Sequence, residues 1–363
     1  MTAAILGLGT AVPARSIAQS AALEMARFIA APEEKQDRLL PVLYRRTNVN
    51  RRGSVLLEDG ENGEVAKAQS FFAPAISPSD SGPGTGARLD RYAREAPLLA
   101  AEAGANAMRD AGVDPARITH VVTVSCTGFM APGLDAALIK ALGLSREAQR
   151  THVGFMGCHG AINGLCVAKA MVDADPAACV LVVAVELCSL HFHYGSHPEQ
   201  MVANALFADG AAGVVVGRSE EASRPRLAGF GSCIIPDSED AMTWRVGDHG
   251  FEMTLSARVP ELLEAELRGW VDRWLGSLGL DRSRIGSWAV HPGGPRIVST
   301  VEKTLDLPGG ATEVSRGVLA EHGNMSSPTV LFIVKELLRL GRPRPFVTLG
   351  FGPGLVAEGM VIL

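Results

Sequence analysis

The stretch ITHVVTVSC, residues 118–126, decides the fold. Its β-branched run reads as a buried strand that stops at a Thr-Gly loop. A helical run follows (LDAALIKALGL), then THVGFMG leads into Cys158. The helix-like HGAINGLCVAKAMVDA and the buried strand ACVLVVAVEL complete the unit. The same plan returns later. RIGSWAVHP (284–292) is strand-like and ends in a Gly-Pro loop. RIVSTVEKTLDL predicts a helix, EVSRGVLAEHGN a turn, SSPTVLFIVKELLRL a helix and RPFVTLGF a strand. Cys126 and Cys158 lie 32 residues apart, His291 and Asn324 33. Two copies of a strand–helix–helix–strand unit predict an α/β protein with sheets covered by helices on both faces. The copies pack face to face, with one helix of each buried between the sheets. GLCVAKAMV and TVLFIVKELL are apolar enough for that place. The halves divide as 1–217, carrying Cys158, and 218–363, carrying His291 and Asn324.

The chain has 363 residues, 47% hydrophobic and 20% charged. That suffices for a large core and two fused halves. A net charge of −5 gives no support for nucleic acid as a partner. Six cysteines form no CxxC pair, so a reduced, cytoplasmic chain is expected. The longest apolar runs, such as Cys179–Val185, are too short to span a bilayer, and no membrane insertion is expected. The apolar start, MTAAILGLGTAVPA, has no basic residue before it and does not read as a leader. Residues 59–87, rich in Gly, Ser and Pro, read as a surface loop.

Cys158 and Asn324 occupy equivalent places in the two copies, each just before a buried helix. His291 sits where the second copy's first strand ends. A pseudo-two-fold axis would bring all three together. A cysteine at a helix N-terminus is biased toward thiolate, and a nearby imidazole deepens that bias by forming an ion pair. Gly157 and Gly160 would leave room for a thioester and free N–H groups for its oxyanion. Alone, each residue has a plainer reading. A free cysteine is usually a small buried hydrophobe, the histidine a satisfied core or loop residue, and the asparagine a helix cap. Together, neutral His and Asn can donate to a developing oxyanion without a carboxylate's repulsion. That suits decarboxylation of a malonyl thioester.

GFMGCHGAINGLCVA, ALFADGAAGVVVG, WAVHPGGPRI, GNMSSPTVLFI and GFGPGL resemble the type III polyketide synthases, the chalcone-synthase-like family. The order and spacing match along nearly the whole chain, from ILGLGTAVP onward. The resemblance implies the thiolase-like fold, with duplicated αβαβα halves, two mixed sheets and buried central helices. It implies a homodimer that uses coenzyme A thioesters directly, with no metal or redox cofactor. Cys158 would accept the acyl group from an acyl-CoA starter. His291 would raise its thiolate fraction and bind the thioester carbonyl. Asn324 would join His291 in stabilising the enolate formed from malonyl-CoA. Phe207 matches the family's gating phenylalanine.

Several pocket positions depart from the plant members. Met253 stands where a second gating phenylalanine is usual, and Trp244 where those members carry glycine. Beyond Glu186, pocket threonines become Cys188 and His191. Flexible Met253 suits irregular apolar ligands and a fatty acyl starter, whereas Trp244 fills volume. An alkylpyrone or alkylresorcinol-type product is expected. In the basic run YRRTNVNRR (44–52), Arg46 best matches a family residue for the coenzyme A phosphates, against the plain reading of a solvated face. HFHYGSH (191–197) has three histidines, but their spacing suits no compact metal motif. The alternatives are a single-elongation 3-ketoacyl carrier-protein synthase III-like enzyme and a Cys-His-Asn thioester hydrolase.

Overall fold

The computed structural model describes residues 2–59, 68–194 and 197–363. The first half opens with β1 (Thr2–Ala11), β2 (Ser16–Ala18), α1 (Gln19–Ala30), α2 (Glu34–Arg46) and β3 (Arg51–Gly53). The long α3 (Thr85–Ala111), β4 (His120–Ser125), α4 (Leu134–Leu142) and β5 (Gln149–Gly154) follow. Then come α5 (Gly160–Ala174), β6 (Cys179–Leu187), α6 (Pro198–Leu206) and β7 (Asp209–Ser219). The second half has β8 (Leu227–Ile234), the hairpin β9 (Met242–Gly247) and β10 (Gly250–Leu255), α7 (Val259–Ser277) and β11 (Ser287–Val290). It closes with α8 (Pro295–Leu305), α9 (Glu313–His322), α10 (Thr329–Arg339), β12 (Phe346–Gly352) and β13 (Val356–Ile362).

Two sheets carry the duplication. One has the order β1-β7-β6-β4-β5, the other β11-β12-β13-β8. In the first, β4 runs parallel to β6, and β7 and β1 follow antiparallel. In the second, β11 runs parallel to β12, and β13 and β8 follow antiparallel. The second sheet thus repeats the first, with no counterpart of β5 among the described residues.

Alternation along each strand sets the layers. Val122, Val124, Val180 and Val182 face one core with α5, α10 and the inner face of the second sheet. Val121, Leu181 and Val183 face the opposite way, onto α3 and α4. Val347, Leu349 and Val361 face α7 and α8. The result is five layers, α/β/α/β/α, with α5 and α10 buried at the centre. The strand Cys179–Leu187 is buried throughout because both of its faces are covered. Glycines bring α3 onto the first sheet: a Cβ on Gly9 would lie 2.2 Å from the Ala107 nitrogen.

Two expectations change. EVSRGVLAEHGN is no turn: most of it forms α9, because Val314, Val318 and Leu319 make an apolar stripe against the core. The expected surface loop 59–87 is only partly one. Residues 60–67 lie outside the described residues, Phe72 is buried in the core, and Thr85 already opens α3.

Leu165 on α5 touches only core. Leu165→Ala should lower stability by about 2–5 kcal/mol in urea unfolding. Leu98→Ala, on the exposed side of α3, should cost about 0.5 kcal/mol or less.

Candidate active site

Gly157, Cys158 and His159 form a single 3-10 turn at the head of α5. Gly157 takes φ +73°, and a Cβ there would lie 2.4 Å from Pro353 Cδ. A Cβ on Gly160 would come within 2.9 Å of Val124 Cγ1. The turn and the close packing therefore account for these glycines, whereas the sequence suggested room for a thioester. The Cys158 thiol faces a largely apolar cavity of about 130 Å³.

Asn324 reaches this point through the backbone. Its N–H donates to Leu206 O (3.0 Å), and its carbonyl accepts from the Ala208 N–H (2.9 Å). That bridge sets Asn324 beside Phe207, and so joins the two halves. Asn324 Oδ1 accepts from the Ser326 N–H (2.8 Å), while Nδ2 has no hydrogen-bond partner. His291 follows the end of β11 and hangs on β12 by its N–H to Leu349 O (2.8 Å). It is buried, and neither ring nitrogen has a partner. The imidazole and the amide nitrogen are thus not engaged by other groups among the described residues and can bond to a group brought beside them.

Burial pushes the Cys158 thiol up to about 11; the Ser326 hydroxyl and the Asn324 amide oppose it, and Glu186 adds to it. Burial and the neighbouring His159 push His291 down to about 3. Either charge alone is therefore disfavoured.

The other expected pocket residues also line the cavity: Phe207, Met253, Trp244, Cys188 and His191. Phe207 caps α6, and its carbonyl accepts from Arg52 Nη1 (2.9 Å). Met253 and Trp244 are cross-strand partners in the β9–β10 hairpin. Trp244 Nε1 donates to Cys126 O (2.7 Å), which lays the indole across the cavity. His191 Nε2 donates to Thr127 O (2.7 Å), Nδ1 accepts from the Phe251 N–H (2.9 Å), and the ring stacks on Phe251 at 4.3 Å. With both nitrogens engaged, it is a neutral wall residue. His193 bonds Phe251 O instead, and no metal-ligating group of three side chains forms among the described residues.

Arg46 is not brought to the cavity; it lies exposed in the last turn of α2. From the same basic run, Arg52 lines it. Many further wall residues went unsingled in the sequence, among them Ser326, Cys126, Tyr44 and Phe72. Ser326 lies within GNMSSP and Cys126 ends the first copied strand, so those two had a signal. Behind them, the buried Glu186 carboxylate accepts from Cys126 N (2.9 Å), Thr127 N (3.0 Å), Thr127 Oγ1 (2.7 Å) and, from the other half, Ser327 Oγ (2.6 Å).

The chalcone and stilbene synthase family matches the chain in two parts, its N-terminal domain over residues 1–220 and its C-terminal domain over 230–363. The chain belongs to this family and is a type III polyketide synthase, a condensing acyltransferase. A 1,3,6,8-tetrahydroxynaphthalene synthase of Streptomyces peucetius subsp. caesius is 36% identical over 272 residues, 73% of this chain and 72% of that protein. The alpha-pyrone synthesis polyketide synthase-like Pks18 of Mycobacterium tuberculosis is 31% identical over 369 residues, 99% of this chain and 90% of its own. The crystal structure of PKS-I from the brown alga Ectocarpus siliculosus superposes with a TM-score of 0.91 at 30% identity, covering 99% of this chain and 98% of that one. Among the described residues no helix is long and apolar enough to cross a membrane.

Burial also pushes His191 down to about 3, like His291. Unfolded, each would titrate near its ordinary 6.5. As pH falls below that value the unfolded chain takes up protons that the native protein refuses, so stability is lost. Each histidine contributes about 1.4 kcal/mol per pH unit in this window. Urea unfolding between pH 6.5 and 4 should therefore show a flatter acid slope in His191→Gln, by about one proton. Equal slopes would mean that His191 is not held neutral.

Proposed function

We propose that the chain extends an acyl-CoA starter with malonyl-CoA by repeated decarboxylative Claisen condensation, and releases an alkylpyrone or alkylresorcinol-type product. The observation that carries this reading is the resting site itself. A thiol at the head of a buried helix lines an apolar cavity, the Asn324 amide with its unpaired nitrogen stands beside that thiol just outside the wall, and the buried His291 imidazole at the end of β11 has two unpaired ring nitrogens.

In this reading Cys158 passes its proton to His291 and attacks the starter thioester, and coenzyme A leaves as the thiol. Malonyl-CoA then binds and loses carbon dioxide. The Asn324 amide and the His291 imidazole donate to the enolate oxygen, and neither repels it as a carboxylate would. The enolate attacks the acyl-Cys158 carbonyl, releasing the sulfur and giving a 3-ketoacyl-CoA. That product reloads Cys158 for the next round, and the chain finally closes by lactone or aldol chemistry. Phe207 shields the thioester from water. The apolar lining, with flexible Met253, favours a fatty acyl starter, and the name of the Mycobacterium relative, alpha-pyrone synthesis, supports a pyrone product. The enzyme would work as a cytoplasmic homodimer of two-half chains dividing near 217, without metal or redox cofactor. Arg46, exposed outside the cavity, remains our candidate for the coenzyme A phosphates.

Mass spectrometry of products from malonyl-CoA and a panel of acyl-CoAs tests the reaction. Cys158→Ala should make none, and retained polyketide would end this mechanism. Iodoacetamide labelling tests His291. In His291→Gln the thiolate has no counter-cation, so labelling should need a higher pH than in the parent. Superimposable profiles would remove His291 as the proton acceptor. Trp244→Gly should broaden the range of starters and products; an unchanged product profile would show that the indole does not bound the substrate.

A further inference from the structure

A second cavity, of about 250 Å³, lies behind the catalytic one. The two share four wall residues: Ala26, Tyr44, Phe192 and Asn204. Asn204 is clamped to His193, accepting its N–H (3.1 Å) and donating to its carbonyl (2.7 Å). Phe192 is wedged among aromatic rings, 5.6 Å from Phe72 and 6.2 Å from Tyr194. Ala26 is small. Tyr44 is different. It is 2% exposed, yet its hydroxyl has no hydrogen-bond partner. The Arg52 guanidinium lies over its ring, at 5.6 Å, and the ring shares an apolar cluster with Leu40, Leu57 and Met201. Among the described residues, that guanidinium is the one polar neighbour of the side chain that has to be given up for the ring to swing.

The chemistry of the outer cavity selects its occupant. Among the described residues no lysine, arginine or histidine lines it, and Glu33 and Asp80 do. That wall repels phosphates, so it does not hold the nucleotide of coenzyme A. Its remaining lining is mainly apolar and ends at Ile76, which is 92% exposed. On the inner side, Ala22, Met25, Ala26 and Ile29 recur at helical spacing along α1 and continue the apolar track toward Cys158. Neither cavity alone reaches the roughly 300–1,000 Å³ usual for ligand sites; joined, they do.

We propose that Tyr44 is a door between the catalytic cavity and this outer cleft, and that the alkyl tail of a long acyl starter passes it to lie beneath α1. The proposal rests on the acyl-CoA reading above.

The test compares kcat/KM for hexanoyl-CoA and myristoyl-CoA, with malonyl-CoA as extender. The myristoyl-to-hexanoyl ratio should fall by about tenfold or more in Ala26→Phe, which plugs the track. It should rise in Tyr44→Ala, which removes the door, and hold its parent value in Tyr44→Phe, which keeps the ring. Tyr44→Ala carries the test if circular dichroism shows Ala26→Phe misfolded. An unmoved ratio in folded Ala26→Phe and Tyr44→Ala overturns the door. A parent enzyme that extends neither acyl-CoA overturns the starter reading instead. Malonyl-CoA alone separates the two sources of a long chain. If the variants change product length there and leave the starter ratio alone, the cleft holds the growing polyketide and the alkyl assignment falls.

Discussion

The buried carboxylate of Glu186 is the join on which the site depends. It stands at the end of β6, in the first half, and gathers donors from the β4 loop and from Ser327 at the head of α10, in the second. A charge in such a place is costly, and burial pushes its carboxyl up; the surrounding hydroxyls and N–H groups pull it back. The set is self-consistent only if both halves are docked. Docking in turn fixes Ser326 and Asn324, the neighbours of the Cys158 sulfur. One polar cluster in an apolar layer thus sets the register of two sheets and two helices.

The layers explain why the chemistry sits there. Two copies of one unit, packed through their central helices, bring their helix heads to a common level. Cys158 belongs to the first head and Asn324 to the second, while His291 arrives on the strand beside them. Residues 133 and 166 positions downstream of the nucleophile become its neighbours without any long excursion of the chain. The short bridge between Phe207 and Asn324 is the visible trace of that symmetry.

The cavity is built from a different principle. Its walls are apolar or neutral, and its polar members are spent on fixed partners: Trp244 on Cys126, His191 on Thr127 and Phe251, Asn204 on His193. His291, the Asn324 amide nitrogen and the Tyr44 hydroxyl are among the groups that stay unspent. The first two suit an enolate. The third stands where the cavity meets a second one that, among the described residues, has no cation to hold a phosphate.

Much of this was legible in the residues. Strand and helix periodicity exposed the duplication, and the motifs around Cys158, His291 and Asn324 pointed to one centre, because such signals are local and survive in a single chain. The misreadings have local causes too. Gly317 and a polar surface hid α9, and Gly157 and Gly160 were credited with space when backbone sign and packing account for them. Within the basic run the sequence did not distinguish Arg46, which lies exposed outside the cavity wall, from Arg52, six positions on, which lines it and donates to the Phe207 carbonyl. The rest of the wall was beyond reach. Ile17, Ala26 and Tyr44 come from the N-terminal segment and line the cavity because α1 and α2 pack across α6, while Phe72 reaches it by packing against Phe192 and Tyr194. Local pattern told which residues carry the chemistry; the volume they face depends on contacts between segments far apart in the chain, which no local pattern encodes.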